Sequence, residues 1–374
     1  MKNAATVGTR RGGGRSPPAA VPIAYAGGMV RRFVLSAFAV LALAPTAARA
    51  DGDVTITLNP DGQQLATELG IDTAELERRV EEEIADAYDT ANVDGFLRAF
   101  ANATSFANRG VGVDYAPLFR GLEIGATANL AAAVDGLEEG QDPAGGVAPN
   151  VSLMGGLSLS RWGHDKIVIY GNGFHRRGKL DQLSGSITNV GLHGQYHLLY
   201  PAPGASTLLF LWSGLHLTAG FEWSRWAFGI DDVITREFAV DGDNGASTTV
   251  TAAATGAFEL SSNSMTIPIE ITTSARVLYF AGIYFGGGVD VQVGRARAQA
   301  SLDGRLTAIR PSDGTSVDMG SAVITASGEK SPSPLAYHLL AGLELNLWRL
   351  KTFLQATVVP VDGASLAFGL RMKI

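Results

Sequence analysis

The stretch Ala364-Ser-Leu-Ala-Phe-Gly-Leu-Arg-Met-Lys-Ile374 decides the fold. Leu366, Phe368, Leu370, Met372 and Ile374 are apolar, while Ala367, Gly369, Arg371 and Lys373 between them are small or charged. A period of two with no slip describes a strand with one oily face and one polar face.

Working outward, the same texture fills the chain from Tyr115 onward. Leu122, Ile124, Ala126, Ala128 and Leu130 oppose Glu123, Gly125, Thr127 and Asn129. Val190, Leu192, Tyr196 and Leu198 oppose Asn189, His193, Gln195 and His197, and Leu215, Leu217, Phe221 and Trp223 oppose His216, Thr218 and Glu222. Met265, Ile267, Ile269 and Ile271 alternate with Thr266, Glu270 and Thr272. Leu339, Leu343 and Leu347 alternate with His338, Gly342, Glu344 and Asn346. With further alternating segments at 151–160 and 279–292, a run of consecutive apolars at 166–174 and a weaker segment at 351–360, the pattern predicts about ten strands. The connections between them sort by length. Those at 161–165, 201–206, near Arg276 and at 349–351 are short. Those at 134–146, 175–184, 225–263 and 296–333 are longer, and only 361–363 breaks the rule. A soluble sandwich has no reason to sort its loops in this way. A transmembrane barrel has short turns on one side and long loops on the other. Trp162, Tyr200 and Trp348 at the turn ends, and Trp223 and Trp226 at the opposite end of their strand, sit where aromatic girdles are expected.

On these residues the final strand resembles the C-terminal closing strand of Gram-negative outer-membrane β-barrels, which the barrel-assembly machinery reads as an insertion signal. Those strands most often finish on Phe or Trp, and this one finishes on Ile374. The resemblance is to the class and covers residues 115–374. It implies an all-β fold, an antiparallel up-and-down transmembrane β-barrel of about ten strands. The implied setting is the cell outer membrane with both termini in the periplasm, and the implied partners are outer-membrane lipid and, during biogenesis, the assembly machinery.

Composition agrees with export. The chain of 374 residues contains 46 glycines, only 17% charged residues and no cysteine, which removes disulfides, zinc thiolates and a cysteine nucleophile from consideration. Met29 opens a basic Val-Arg-Arg start, an apolar run from Phe33 to Ala44, and Ala48-Arg49-Ala50 before Asp51, which are the parts of a secretory signal peptide at 29–50. Residues 1–28 read as a misassigned start. Residues 1–50 hold seven bases and no acid, so cleavage would leave 22 bases against 36 acids, a net charge of −14. An acidic exported chain without basic runs is a poor nucleic-acid binder. Beyond the signal no apolar run approaches the roughly 20 residues of a spanning helix.

Between the signal and the strands, 51–114 reads as an N-terminal helical cap or plug at the periplasmic end. Leu76, Val80, Ile84 and Tyr88 are four apart, the mark of an amphipathic helix. Phe96, Leu97, Phe100 and Phe106 suggest a second helical piece ended by Gly110, with Arg98 and Arg109 available to neutralise acids of a lumen. Parity turns Glu123, His193, Gln195, His197, His216, Glu222, Glu270, His338 and Glu344 to the polar face, where a narrow barrel would bring several to similar height. They are expected to form a hydrogen-bonded luminal cluster. No Gly-x-Ser-x-Gly, phosphate loop or His-Glu-x-x-His spacing is present in the exported part, so neither an enzyme, a cofactor nor a metal is expected. Asp241-Gly-Asp-Asn-Gly245 has some look of a calcium loop, but Asn244-Gly245 reads better as a hairpin turn joining two strands that extend above the membrane. The expected role is structural or small-solute passage with a plugged lumen. An outer-membrane hydrolase, or surface binding through 225–263 and 296–333, is the alternative.

Overall fold

The computed structural model describes residues 51–88, 93–116, 121–136, 143–200, 210–278, 280–360 and 362–374. The expectations for 1–28 and for the signal at 29–50 lie outside the described residues. In chain order the elements are β1 (Asp51–Leu58), α1 (Pro60–Leu69), α2 (Thr73–Tyr88), α3 (Val93–Phe106), β2 (Leu122–Asp135), β3 (Ala144–Ser158), β4 (Ile167–Leu180) and β5 (Leu183–Leu199). There follow β6 (Phe210–Asp241), β7 (Ser247–Val277), β8 (Ala281–Ile309), β9 (Ser316–Lys330), β10 (Leu335–Leu347), β11 (Leu350–Val359) and β12 (Gly363–Lys373).

Ten of these strands close on themselves. Antiparallel pairing runs from β2 through β3, β4, β5, β6, β7 and β8, passes to β10, β11 and β12, and returns to β2. Closure matters because every barrel strand then has a neighbour on both sides, the condition for crossing hydrocarbon with strands; β3 and β4 meet only over Leu153–Ser158 and Val168–Gly173. The outward face is apolar. Leu366, Phe368, Leu370, Met372 and Ile374 are 44% to 61% exposed, and Leu339, Leu343 and Leu347 are similarly bare. The inward faces of the same strands are buried and carry the charged and polar side chains His338, Glu344, Ser365 and Arg371, with Ala336, Leu340 and Ala367 between them. This is a transmembrane β-barrel of the outer-membrane type, inverted relative to a soluble protein. At the turn end Trp348, Trp162, Tyr200 and Phe280 are exposed, as in an aromatic girdle. Trp226 departs from that pattern. Its position in β6 has inward parity, so it is buried inside the barrel and not in a girdle.

The stretches 225–263 and 296–333, expected as long connections, are mostly strand, the first as the hairpin of two rising strands expected about Asn244-Gly245. β6, β7 and β8 run on for 32, 31 and 29 residues, well past the membrane. β9 pairs with Ala296–Ile309 of β8, and β1 pairs with the outer edge of β9. Along one edge of β8 the partner changes from β10 to β9 at Ser331-Pro-Ser-Pro334, because proline cannot donate to a ladder. An extended sheet thus stands on one end of the barrel. The Asp241–Gly245 turn is the hairpin expected, with Gly245 at φ 80°.

The helices are placed by local chemistry and then by burial. Asn59 caps α1 by accepting from the amides of Asp61 and Gly62 at 3.0 Å, Pro60 stands in the first turn, and Gly70 ends the helix at φ 71°. Asp72 caps α2 through the amide of Glu75 at 2.7 Å. Leu65, Leu69, Leu76 and Val80 then pack on Val240, Val250, Leu306, Ala308 and Met319 of the extension. Arg79 ties α2 to Asp243 at 2.9 Å.

This corrects the expected position of the N-terminal part. β1, α1 and α2 sit at the extended end, opposite the turn end where Ile374 bonds Leu122, so the cap is not on the side of the short turns and the two ends of the described chain are not on one side. α3 enters the mouth from that extended end, residues 106–116 pass into the barrel, and β2 begins at the turn end. The expected boundary at 114/115 therefore falls inside a luminal segment, and the first barrel strand starts at Leu122.

Candidate functional site

The lumen is occupied by residues 106–116. α3 reaches the wall because the wall is small there: Ala103, Phe106 and Ala107 rest on Ala131, Ala133, Ala148, Ala336 and Val359. Gly146 is required by that approach, since a Cβ there would lie 2.4 Å from the backbone of Ala99. Past the helix the backbone is no longer self-satisfied, and wall amides supply what it lacks. Asn129 Nδ2 donates to the carbonyls of Ala107 (2.9 Å) and Arg109 (3.0 Å), and Asn150 Nδ2 donates to Asn108 Oδ1 (2.9 Å). Asn108 Nδ2 donates to Ser224 Oγ at 3.1 Å. Gly110 turns the chain at φ 70°, where a side chain would strike Gln355.

Charge fixes the segment at two heights. The Arg109 guanidinium pairs with Asp290 of β8 and lies over the Phe106 ring. Asp290 is 3.3 Å from His338 Nδ1, whose Nε2 is 3.0 Å from Glu270, and Glu270 accepts from the Tyr115 hydroxyl at 2.7 Å. That chain of contacts leaves the segment at Arg109 and returns to it at Tyr115 through β8, β10 and β7. Lower down, the Asp114 carboxylate meets Lys351 of β11 and, at 3.3 Å, Arg371 of β12. Lys351 also donates to the carbonyl of Ala116 at 3.1 Å, and Gln195 Nε2 to that of Asp114 at 3.2 Å. Asp114, Lys351 and Arg371 are all essentially without solvent exposure. Removing one member of such a set leaves an uncompensated buried ion.

All nine residues assigned to the luminal cluster face inward and are buried, and they divide into separate groups. His193 and Glu222 form a pair at 2.6 Å. His338 and Glu270 belong to the Arg109 network. Glu123 and Glu344 stand near Arg371 and Lys351, at 3.8 and 3.4 Å. Gln195 bonds the luminal segment, Tyr170 and Thr218. His197 and His216 pack edge to face, ring centres 4.5 Å apart, away from any of these acids. Of the residues assigned to the plug, Arg109 enters the lumen. Arg98 does not: it stays at the mouth, half exposed and 3.6 Å from Asp135, because its helical position faces away from Phe100. Phe96 and Phe100 stack at 6.1 Å and pack on Leu260, Ala296 and Ala298. Asp114, Tyr115, Asp290, Lys351 and Arg371 were not singled out as luminal residues. Inward parity marks the last three in the sequence, whereas Asp114 and Tyr115 carry no periodic signal.

The gap between Arg109–Tyr115 and the wall near His193, Glu222 and Glu270 is about 10 Å³, at most the room of one water. His338 has a carboxylate at each ring nitrogen, Asp290 at Nδ1 and Glu270 at Nε2, and no group of side chains placed to hold a metal ion occurs among the described residues.

No curated protein sequence matches this chain. Solved structures with some likeness include the toluene transporter TbuX of Ralstonia pickettii, with 7% identity over 74% of this chain and 99% of that one, TM-score 0.25. Others are the attachment invasion locus protein Ail of Yersinia pestis (10% identity, 68% and 100% covered, TM-score 0.23) and the translocator domain of the autotransporter NalP from Neisseria meningitidis (8%, 74% and 93%, 0.28). All are bacterial outer-membrane β-barrel proteins. At these scores the likeness carries no argument, and the fold rests on the closed strand circuit itself. The sequence profile of one family, described as Lsa36-like, matches residues 49–374, from the first described strand to the last, and the protein belongs to the Lsa36-like family.

Proposed function

We propose that the protein is an outer-membrane barrel sealed in its resting form, in which residues 106–116 set the permeability to small solutes and the barrel otherwise anchors the extension. The observation that carries this is the double fastening of the luminal segment, at Arg109–Asp290 and at Asp114 between Lys351 and Arg371. A wall that needed only to be filled could be filled with apolar side chains at less electrostatic cost. Around residues 108–116 this wall is rich in polar and charged side chains, as in barrels that pass water and solutes, while an apolar patch of alanines and Val359 receives α3. By the usual arrangement of such barrels the short turns and Ile374 face the periplasm, and the extension with β1, α1 and α2 faces outward. The outward row of β12 is the surface offered to the assembly machinery.

Single-channel recording in planar bilayers tests the seal. The wild type is expected to be silent, and the Arg109→Ala/Asp114→Ala double variant to show conductance steps while still migrating as a folded barrel. A steady wild-type conductance equal to that of the variant would overturn the role of the segment. A second reading, surface binding at the extended end, is favoured by the rigid strands standing at 225–263 and 296–333 where loops were expected. It predicts binding that survives in the double variant.

A further inference from the structure

Just beyond the apolar belt on the extended side, the outward face changes character within one step of the ladder. The last apolar row, set by register, is Gly173, Val190, Trp223, Met265 and Val293. The next row is His175, Thr188, Arg225, Asn263 and Arg295, and the one above it is Arg177, Ser186, Ala227, Ser261 and Arg297. Two consecutive rows thus carry four arginines and a histidine and no acid, on a chain whose net charge is −7. Arg295 and Arg297 already share Glu329 of β9. Arg177 and Arg225 are exposed and have no carboxylate partner among the described residues. Beside them lies a groove of about 330 Å³ whose floor is made small by Gly178, Gly185, Ala227 and Gly229 and whose hydroxyls are Ser184, Ser186 and Ser261, with Glu259 on the far wall. The edge of β4 above Gly173 has no neighbour from β3, so the groove is open on that side.

We propose that this groove binds the phosphorylated sugar headgroup of a glycolipid of the facing leaflet, with Arg177 and Arg225 on phosphate and the serines on sugar hydroxyls. The charge fits because guanidinium groups take phosphate oxygens through paired N–H donors. The position selects a lipid over a free ion. Val190, Leu192, Phe221 and Trp223 lie directly below on the same face, so a molecule whose phosphate meets Arg225 has its acyl chains on that apolar surface. Cationic groups at the level of anionic headgroups hold lipid in this way in membrane proteins generally. Which leaflet supplies the lipid rests on the orientation given above. The binding chemistry does not.

The test is lipid retention by the full chain in nanodiscs of phosphatidylcholine containing a bisphosphorylated lipid A or its dephosphorylated form, read by native mass spectrometry. The wild type is expected to hold lipid A at least tenfold more tightly than the dephosphorylated form. Arg177→Ala/Arg225→Ala is expected to lose that preference, and Arg236→Ala, higher on β6, to keep it. Heat modifiability on gels checks that each variant is a folded barrel. Equal retention of the two lipids, or unchanged retention by the double variant, would overturn the proposal. Complete displacement by millimolar inorganic phosphate would show a site for the ion alone and overturn the choice of a lipid. These outcomes are independent of conductance, so a silent or an open pore leaves them legible.

Discussion

The membrane-level half of the barrel and the extension above it share β6, β7 and β8, yet their faces are inverted. In β7 the outward residues Met265, Ile267, Ile269 and Ile271 are apolar and the inward Ser264, Thr266, Glu270 and Thr272 are polar. A few residues away in the same strand the outward residues are Thr249, Thr251, Thr255 and Glu259, and the inward Val250, Phe258 and Leu260 are apolar. β8 changes in the same place, from outward Val291 and Val293 to Arg295 and Arg297, and from inward Asp290 and Gln292 to Ala296 and Ala298. The ladder passes through the change with its parity intact, so backbone pairing is indifferent to it. What differs is the medium on each face. Below, lipid covers the outside and a polar segment fills the inside. Above, water covers the outside and α1, α2 and α3 supply an apolar filling.

The largest expected effect comes from unbalancing the lower filling. Asp114→Ala takes from buried Lys351 and Arg371 the carboxylate they share and leaves them only the more distant Glu344 (3.4 Å) and Glu123 (3.8 Å), where breaking a buried ion pair typically costs about 3–5 kcal/mol. The folded band on unboiled gels is expected to disappear at a lower temperature or urea concentration, and an unchanged midpoint would show that Asp114 does not fasten the segment. The contrast between halves is broken more directly by one substitution made twice. Ile269→Lys, outward at the middle of the belt, is expected to cost about 2–4 kcal/mol. Thr255→Lys, outward on the same strand above the change, is expected to stay within about 0.5 kcal/mol. Equal costs in urea titrations of the folded protein in lipid would place both residues in one medium and remove the boundary.

The smallest effect belongs to the exposed cap. Hydrogen bonds from Arg78 and then Arg79 hold the Glu75 carboxyl down at about 2. A carboxyl lowered on folding contributes above its unfolded value near 4.3 and loses that contribution as the pH falls toward 2. Protection of α2 amides in hydrogen exchange is therefore expected to weaken slightly between pH 4.3 and 2 in the wild type, and Glu75→Gln to lack that dependence. Identical profiles would show that these surface hydrogen bonds hold nothing in place.

Several of these features were legible in residue order. The strict alternation of 364–374 gives β12 its outward and inward rows, and the same parity turns His193, Glu222, Glu270 and His338 inward. Helix α1 carries its own signal in residue order, Asn59-Pro60 at the start and Gly70 at the end. The long connections misled for a specific reason. Small and hydroxyl residues such as those of 247–257 look like loop, and only a helix packed on the inward set turns them into a sheet.

The sequence by itself determined which faces are oily, because side-chain parity in a strand is a local property of the backbone. It also determined that the strands had to close, since no apolar helix was available to shield an open edge in a membrane. Tertiary structure alone decided which end the N-terminal part enters and which charges meet. Asp114 lies 237 residues from Lys351 and 257 from Arg371, and nothing periodic marks it. Its partners are set by the height at which an irregular segment crosses a lumen, and that height depends on where α3 stops against the alanines of the wall.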